Sequence, residues 1–142
     1  MAIEIIEKLP EKMQYYALFN TTGWNDNYKL TADELFTTLE KSWLVIGAYE
    51  NDNLLGSCRI MSDGVYDAII LDLIVHPSYQ KKGIGALLMH TVLDKISQTP
   101  IREINLFCAQ GKAGFYKKFG FKIRDNDAPG MTLKNPLRKP DA

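Results

Sequence analysis

Between the strand-like and helix-like halves of the chain lies the run Val75-His76-Pro77-Ser78-Tyr79-Gln80-Lys81-Lys82-Gly83-Ile84-Gly85. Its residue types suit the binding of an anion. The first amide N–H groups of a helix have no intrahelical acceptor, and the helix dipole adds partial positive charge there. Glycine at 83 and 85 leaves that backbone uncovered, so a phosphate can approach the amides closely. Lys81 and Lys82 bring cationic charge to the same place. The pattern points to a pyrophosphate site on Gln80, Lys81, Lys82, Gly83, Ile84 and Gly85. A Walker loop, G-x-x-x-x-G-K-[ST], is absent. A Rossmann fingerprint would need a third glycine where the chain has Leu88, and a first glycine hard against the strand, which Gly83 is not. Glu103 sits where a ribose-binding acid would, with nothing else to support that design. The match without gaps is to Q-x-x-G-x-G.

Two side chains outside the loop have reactive potential. Asp72 interrupts the apolar run Ala68-Ile69-Ile70-Leu71-Asp72-Leu73-Ile74-Val75. Strict alternation puts Ile70, Asp72 and Ile74 on one face of a strand and Leu71, Leu73 and Val75 on the other. A carboxylate there is costly unless paired or useful. It reads either as an anchor or base for a substrate ammonium, or as a structural hydrogen-bond acceptor. Tyr116, between Phe115 and Lys117, carries a phenol whose ordinary pKa of about 10 leaves it protonated at neutral pH. It reads as a proton donor in a dry cleft or as a core aromatic. Trp24, Tyr28 and Tyr15 are aromatic residues of the N-terminal part, and Asp26, Asp33 and Glu34 add negative charge nearby.

Positioning these residues takes a strand before the loop and a helix after it. Residues 66–75 have the near-continuous apolar pattern of a strand buried on both faces, and Pro77 ends it. Residues 84–96 predict an amphipathic helix with Ile84, Leu87, Leu88, Thr91, Val92 and Ile96 inward. A strand over 101–108, a short helix over 113–119 stopped by Gly120, and weak strands at 121–124 and 131–133 follow. Upstream, residues 2–9 alternate as a strand, and Pro10 opens a helix whose Met13, Tyr16 and Ala17 share a face. Thr31 and Glu34 form a capping box for a second helix ending near Lys41. Strands at 43–50 and 54–61, joined by Asn51-Asp52-Asn53, make a hairpin. The order β-α-α-β-β-β-α-β-α-β predicts a mixed α/β fold with one mostly antiparallel sheet and one crossover helix. A single domain over residues 1–134 and a polar tail over 135–142 are expected.

Composition narrows the function classes. The 142 residues are 46% hydrophobic and 24% charged, enough for one core. Lysine plus arginine and aspartate plus glutamate each number 17, so the basic excess of a dedicated nucleic-acid binder is missing. No apolar run approaches the roughly 18–20 residues of a membrane span, and the N-terminus lacks the plan of a signal peptide. Cys58 and Cys108, without CxxC spacing, read as buried free thiols. His76 and His90 have no spaced partners, so no metal is expected. A soluble cytoplasmic protein without nucleic-acid or membrane partners is the expectation.

The run from Val75 to Leu88 resembles the acetyl-CoA loop of the GCN5-related N-acetyltransferase (GNAT) superfamily, V-x-P-x-[YF]-[QR]-x-x-G-[IVL]-G. Phe115-Tyr116-Lys117-Lys118-Phe119-Gly120-Phe121 resembles the same superfamily's second motif, F-Y-x-K-x-G-F. The resemblance implies a GNAT-like sheet with splayed central strands flanked by helices, and acetyl-CoA as co-substrate. It implies that backbone amides of Gln80 to Gly85 hold the CoA pyrophosphate and that Leu73, Ile74 and Val75 pair with the pantetheine arm as an added strand. An amide near Ile74 or Val75 would stabilise the oxyanion, and Tyr116 would protonate the leaving thiolate. Trp24, Tyr28 and Tyr15 fall in the region that covers the acceptor site in this superfamily, which makes them candidates for its wall; the alternative is ordinary packing. The resemblance departs where many members carry a CoA-binding asparagine: Ala109 and Lys112 stand there, with Gln110 as substitute. Ile69 stands where histone-type members place a glutamate base. The implied activity is direct acetyl transfer to a primary amine of a small molecule or peptide, with a homodimer common in such folds. The alternatives are another acyl-CoA or hydroxyl acceptor, and a non-catalytic acyl-CoA sensor.

Overall fold

A computed structural model describes residues 2–135. Nine main elements follow in order: β1 (Glu4–Glu7), α1 (Lys12–Asn20), α2 (Ala32–Glu40), β2 (Leu44–Glu50), β3 (Asn53–Ser62), β4 (Asp67–Val75), α3 (Ile84–Ser97), β5 (Glu103–Leu106) and α4 (Ala113–Lys117). The five strands form one sheet in the order β1-β2-β3-β4-β5. Neighbours are antiparallel except β4 and β5, which run parallel. The parallel pair is the one joined through the crossover helix α3, as a parallel connection requires.

Each face of the sheet is covered by a different helix layer. On one side α3 lays Ile84, Leu88, Met89, Val92 and Ile96 onto Ile46, Cys58, Ile60, Ala68 and Ile70. On the other, Tyr15, Leu18 and Phe19 of α1 and Leu35 and Leu39 of α2 pack with Val45, Tyr49, Leu54 and Ile74. Burying a side chain of this size stabilises by about 1.5–3 kcal/mol, so the two layers clamp the central strands that carry the site. Thr31 accepts from Glu34 N–H while the Glu34 side chain accepts from Thr31 N–H, the expected capping box.

Local geometry overturns several expected details. Helix α1 starts at Lys12 with Glu11 as its cap, so its buried stripe is Tyr15, Leu18 and Phe19, while Met13 is 54% exposed. In α3 the inward stripe takes Met89 and leaves Leu87 outside. Strand β5 stops at Leu106, and Cys108, beyond its end, is exposed where a buried thiol was expected. The segments 121–124 and 131–133 form no strands. Between them Ala128 N–H donates to Asp125 O and Arg124 Nε to Ala128 O, closing a local turn. Ile123, Met131 and Leu133 face outward, which leaves a hairpin there no apolar face to bury. The expected tail, save Asn135, lies outside the described residues. Among the described residues no helix is long and apolar enough to cross a membrane.

Candidate active site

The loop between β4 and α3 is built to leave amides free. A 3-10 turn at Pro77–Tyr79 follows β4, closed by Tyr79 N–H donating to His76 O, and Ser78 N–H donates to His76 Nδ1. Lys81 and Gly83 then take positive φ values of 63° and 83°. Alternation into the left-handed region gathers successive N–H groups into an anion-sized hollow. At Gly83 this conformation favours glycine, and a Cβ built there would meet nothing within 4 Å, so the space above the loop is open. Helices α1 and α2 have side-chain caps, whereas α3 opens at Gly83 with none. The N–H groups of its first turn are left for a ligand.

Strand β4 supplies a second set of main-chain groups. It pairs with β5 only from Asp67 to Ile70, so its last five residues, through Val75, have a strand on one side alone. The central strands are splayed as expected. Here β4 also carries an unforeseen bulge: Ile74 stands opposite Ser57 but Leu71 opposite Arg59, so Asp72 and Leu73 share the single residue Cys58. Asp72 has φ 52°. The bulge breaks the alternation assumed above. Ile70 packs toward α3, and after the bulge it is Leu73 and Val75 that do so, while Ile74 joins the α1 face. Hydrogen bonding shifts in step. His76 N–H donates to Leu55 O at 2.8 Å, so Ile74 also faces β3, and the N–H and C=O of Leu73 and Val75 turn away from it. The Val75 carbonyl is taken by Gln80 Nε2 at 3.0 Å, which leaves its N–H facing the gap.

Across the gap stands α4, framed by Gly111 and Gly120 at positive φ. Phe115 approaches the α carbon of Gly85, with its ring 3.5 Å from where a Cβ would lie. That contact joins the two sequence motifs in space. Tyr116 follows, edge-on to Phe115 and Phe121. Burial, and less so the thiols of Cys58 and Cys108, push its phenol up to about 12. It therefore holds its proton throughout the neutral range.

These parts enclose a cleft of about 700 Å³. Leu73, Ile74, Val75, Gln80, Lys81, Gly83, Ile84, Gly85, Tyr116 and Trp24 all line it. The cations at its edge are Lys81, Lys112 and Lys118, and no aspartate or glutamate is among its described lining residues. Tyr15 is buried in the α1 layer and does not line it, and four further expected residues stay outside it. Lys82 holds its ammonium 5.3 Å from the Tyr79 ring centre. Gln110 is exposed on the loop before α4, where Ala109 and Lys112 line the cleft instead. Tyr28 is half exposed under the Lys134 ammonium. Asp72 turns to Arg59, whose Nε donates to Asp72 Oδ2 at 2.7 Å. Sequence reasoning missed Arg59, the one charged residue within β3; a cation and an anion inside adjacent strands of one hairpin was the available signal. It also missed Thr21 and Thr22, which line the cleft beside Trp24.

Residues 41–123 match a family model described as an acetyltransferase (GNAT) domain. An uncharacterized N-acetyltransferase ycf52 of Pyropia yezoensis is 32% identical over 114 residues, covering 78% of this chain and 63% of the relative. The chain thus spans 63% of the length of the first curated relatives it matches. Among solved structures, a GNAT family acetyltransferase from Streptococcus pneumoniae TIGR4 superposes with a TM-score of 0.76 at 29% identity, over 95% of this chain and 99% of that one. The PaiA N-acetyltransferase of Thermoplasma acidophilum, solved in complex with coenzyme A, shares the fold at TM-score 0.70 and 22% identity, over 89% and 94% of the two chains.

Proposed function

This chain belongs to the GNAT family of acetyltransferases, and from that premise we propose that it transfers an acetyl group from acetyl-CoA directly to a primary amine of a small molecule or peptide. The observation that carries the reading is the single cleft that joins the uncapped start of α3, the unpaired edge of β4 and Tyr116. Its three parts suit the three parts of an acyl-CoA. The diphosphate lies on the amides of residues 80–85, with Lys81 adding charge. The amide-bearing pantetheine arm adds to β4 beside Leu73 and Val75. The thioester then reaches Tyr116. The amine enters past Thr21, Thr22 and Trp24.

The reaction balances on groups of this chain and water. A neutral amine attacks the thioester carbon, and the N–C bond forms as negative charge moves to the carbonyl oxygen. The Val75 N–H, already turned toward the gap, stabilises that oxygen because it needs no rearrangement to do so. As the intermediate collapses, the C–S bond breaks, the nitrogen gives its excess proton to water, and Tyr116 protonates the thiolate before recovering a proton from solvent. Transfer is direct: neither cysteine lines the cleft, and burial pushes the Cys58 thiol up to about 12, far from a thiolate. Thiol release from acetyl-CoA, followed with a panel of amines, tests the reading. Release that depends on an amine supports it; acetyl-CoA binding with no release for any amine in the panel contradicts it.

A further inference from the structure

We propose that Arg59 and Asp72 form a latch that holds the β4 bulge and so decides which main-chain groups of β4 face the cleft, making both of them positioning residues for the thioester arm. The inference rests on the acetyl-CoA reading above. Asp72 sits in the left-handed region at φ 52°, a conformation that side chains other than glycine adopt reluctantly and aspartate more readily than most. Such an outlier persists where its surroundings hold it. What holds it here is Arg59 on the neighbouring strand, directly opposite Leu71, with its Nε 2.7 Å from the carboxylate. The two side chains are only 17% and 23% exposed. Tyr15 of α1, 1% exposed, is close enough that both charges act on its phenol, after burial itself. The pair therefore sits between the sheet and its helix cover, and neither member lines the cleft. Whatever they contribute passes through the backbone.

The register states what that contribution is. Continued from Leu71 opposite Arg59 without the bulge, β4 would set Leu73 opposite Ser57 and Val75 opposite Leu55. The N–H groups of Leu73 and Val75 would then turn into the β3 ladder and be lost to the cleft. With the bulge, His76 takes the place opposite Leu55, and Val75 keeps its N–H for a ligand.

The test measures the affinity of two probes by calorimetry: acetyl-CoA, and ADP, which carries the diphosphate without the thioester arm. Arg59→Met keeps the apolar stem, Asp72→Asn keeps the shape and tolerance of positive φ, and Asp72→Gly removes the carboxylate while freeing φ. Each should weaken acetyl-CoA about tenfold, the worth of a main-chain hydrogen bond or two, and leave ADP affinity unchanged. The Arg59→Met/Asp72→Asn double variant should be no weaker than the worse single one, as for residues acting as a unit. Equal weakening of both probes, additive losses, or unchanged acetyl-CoA affinity overturns the latch. So does an Asp72→Asn enzyme without turnover beside an Arg59→Met enzyme with wild-type kcat, since Asp72 would then act alone on the substrate. A wild-type protein that binds neither probe overturns the acetyl-CoA reading itself, and the latch with it.

Discussion

In the proposed reaction, Tyr116 is the residue on which the proton balance turns. Its burial where α4 meets the cleft raises the phenol from 10.0 to about 12, so the donor form predominates throughout the neutral range. Removing only the hydroxyl, Tyr116→Phe, should lower kcat about a hundredfold, within the range of a positioned general acid, and change the KM for acetyl-CoA little. A wild-type kcat in that variant would end the assignment. Because no carboxylate is among the described lining residues of the cleft, the pH profile of kcat/KM should rise to a plateau at the pKa of whichever amine is used. Swapping a weakly basic amine for an alkylamine should move that inflection with the acceptor, and an inflection fixed in place would reveal a base on the protein. The placement of two candidates at the cleft was legible from single residues: Tyr116 from its motif, Gly83 from the backbone it leaves open. Asp72 was legible as an anomaly but not as a role, because its partner Arg59 is chosen by strand register, which a sequence does not display.

Helix α3 starts without the side-chain cap that α1 and α2 have, and the contrast is testable. Thr31→Ala removes a cap and should cost about 1 kcal/mol in chemical denaturation, with acetyl-CoA affinity intact. Gly83→Glu should do the reverse. It puts a side chain, with a negative charge like the diphosphate's own, over free amides at φ 83°, so acetyl-CoA binding should be lost while the fold persists; retained affinity would place the diphosphate elsewhere. The element order was readable from apolar periodicity as far as α4, because strongly patterned segments such as 44–50 and 84–97 leave little choice. Failures came where tertiary contacts decide. The β4 bulge flips an alternation that the bare pattern predicts, and residues 121–133 spend their polar atoms on a local turn instead of a ladder.

Taken whole, the molecule is two helix layers closing on one splayed sheet, and the buried acids among its core predict how it responds to base. Burial raises Cys58 from 9.0 to about 12 and Tyr116 from 10.0 to about 12, and it raises Tyr15 and Tyr49 as well. A group whose pKa is higher folded than unfolded lends stability that is complete below its unfolded value and lost as pH climbs through the folded one. Unfolding free energy should therefore hold level toward pH 9 and decline from there to about 12, and Cys58→Ala should flatten the first part of that decline. Denaturant titrations at successive pH values check both. The splay that makes the cleft also leaves β4 half unpaired, and that is the edge to which the proposed acetyl-CoA arm adds. The most direct test is calorimetric titration of the folded protein with acetyl-CoA. The account predicts saturable binding of one molecule per chain that Gly83→Glu abolishes; a well-folded protein that takes up none, or a Gly83→Glu variant that binds like the wild type, would contradict it.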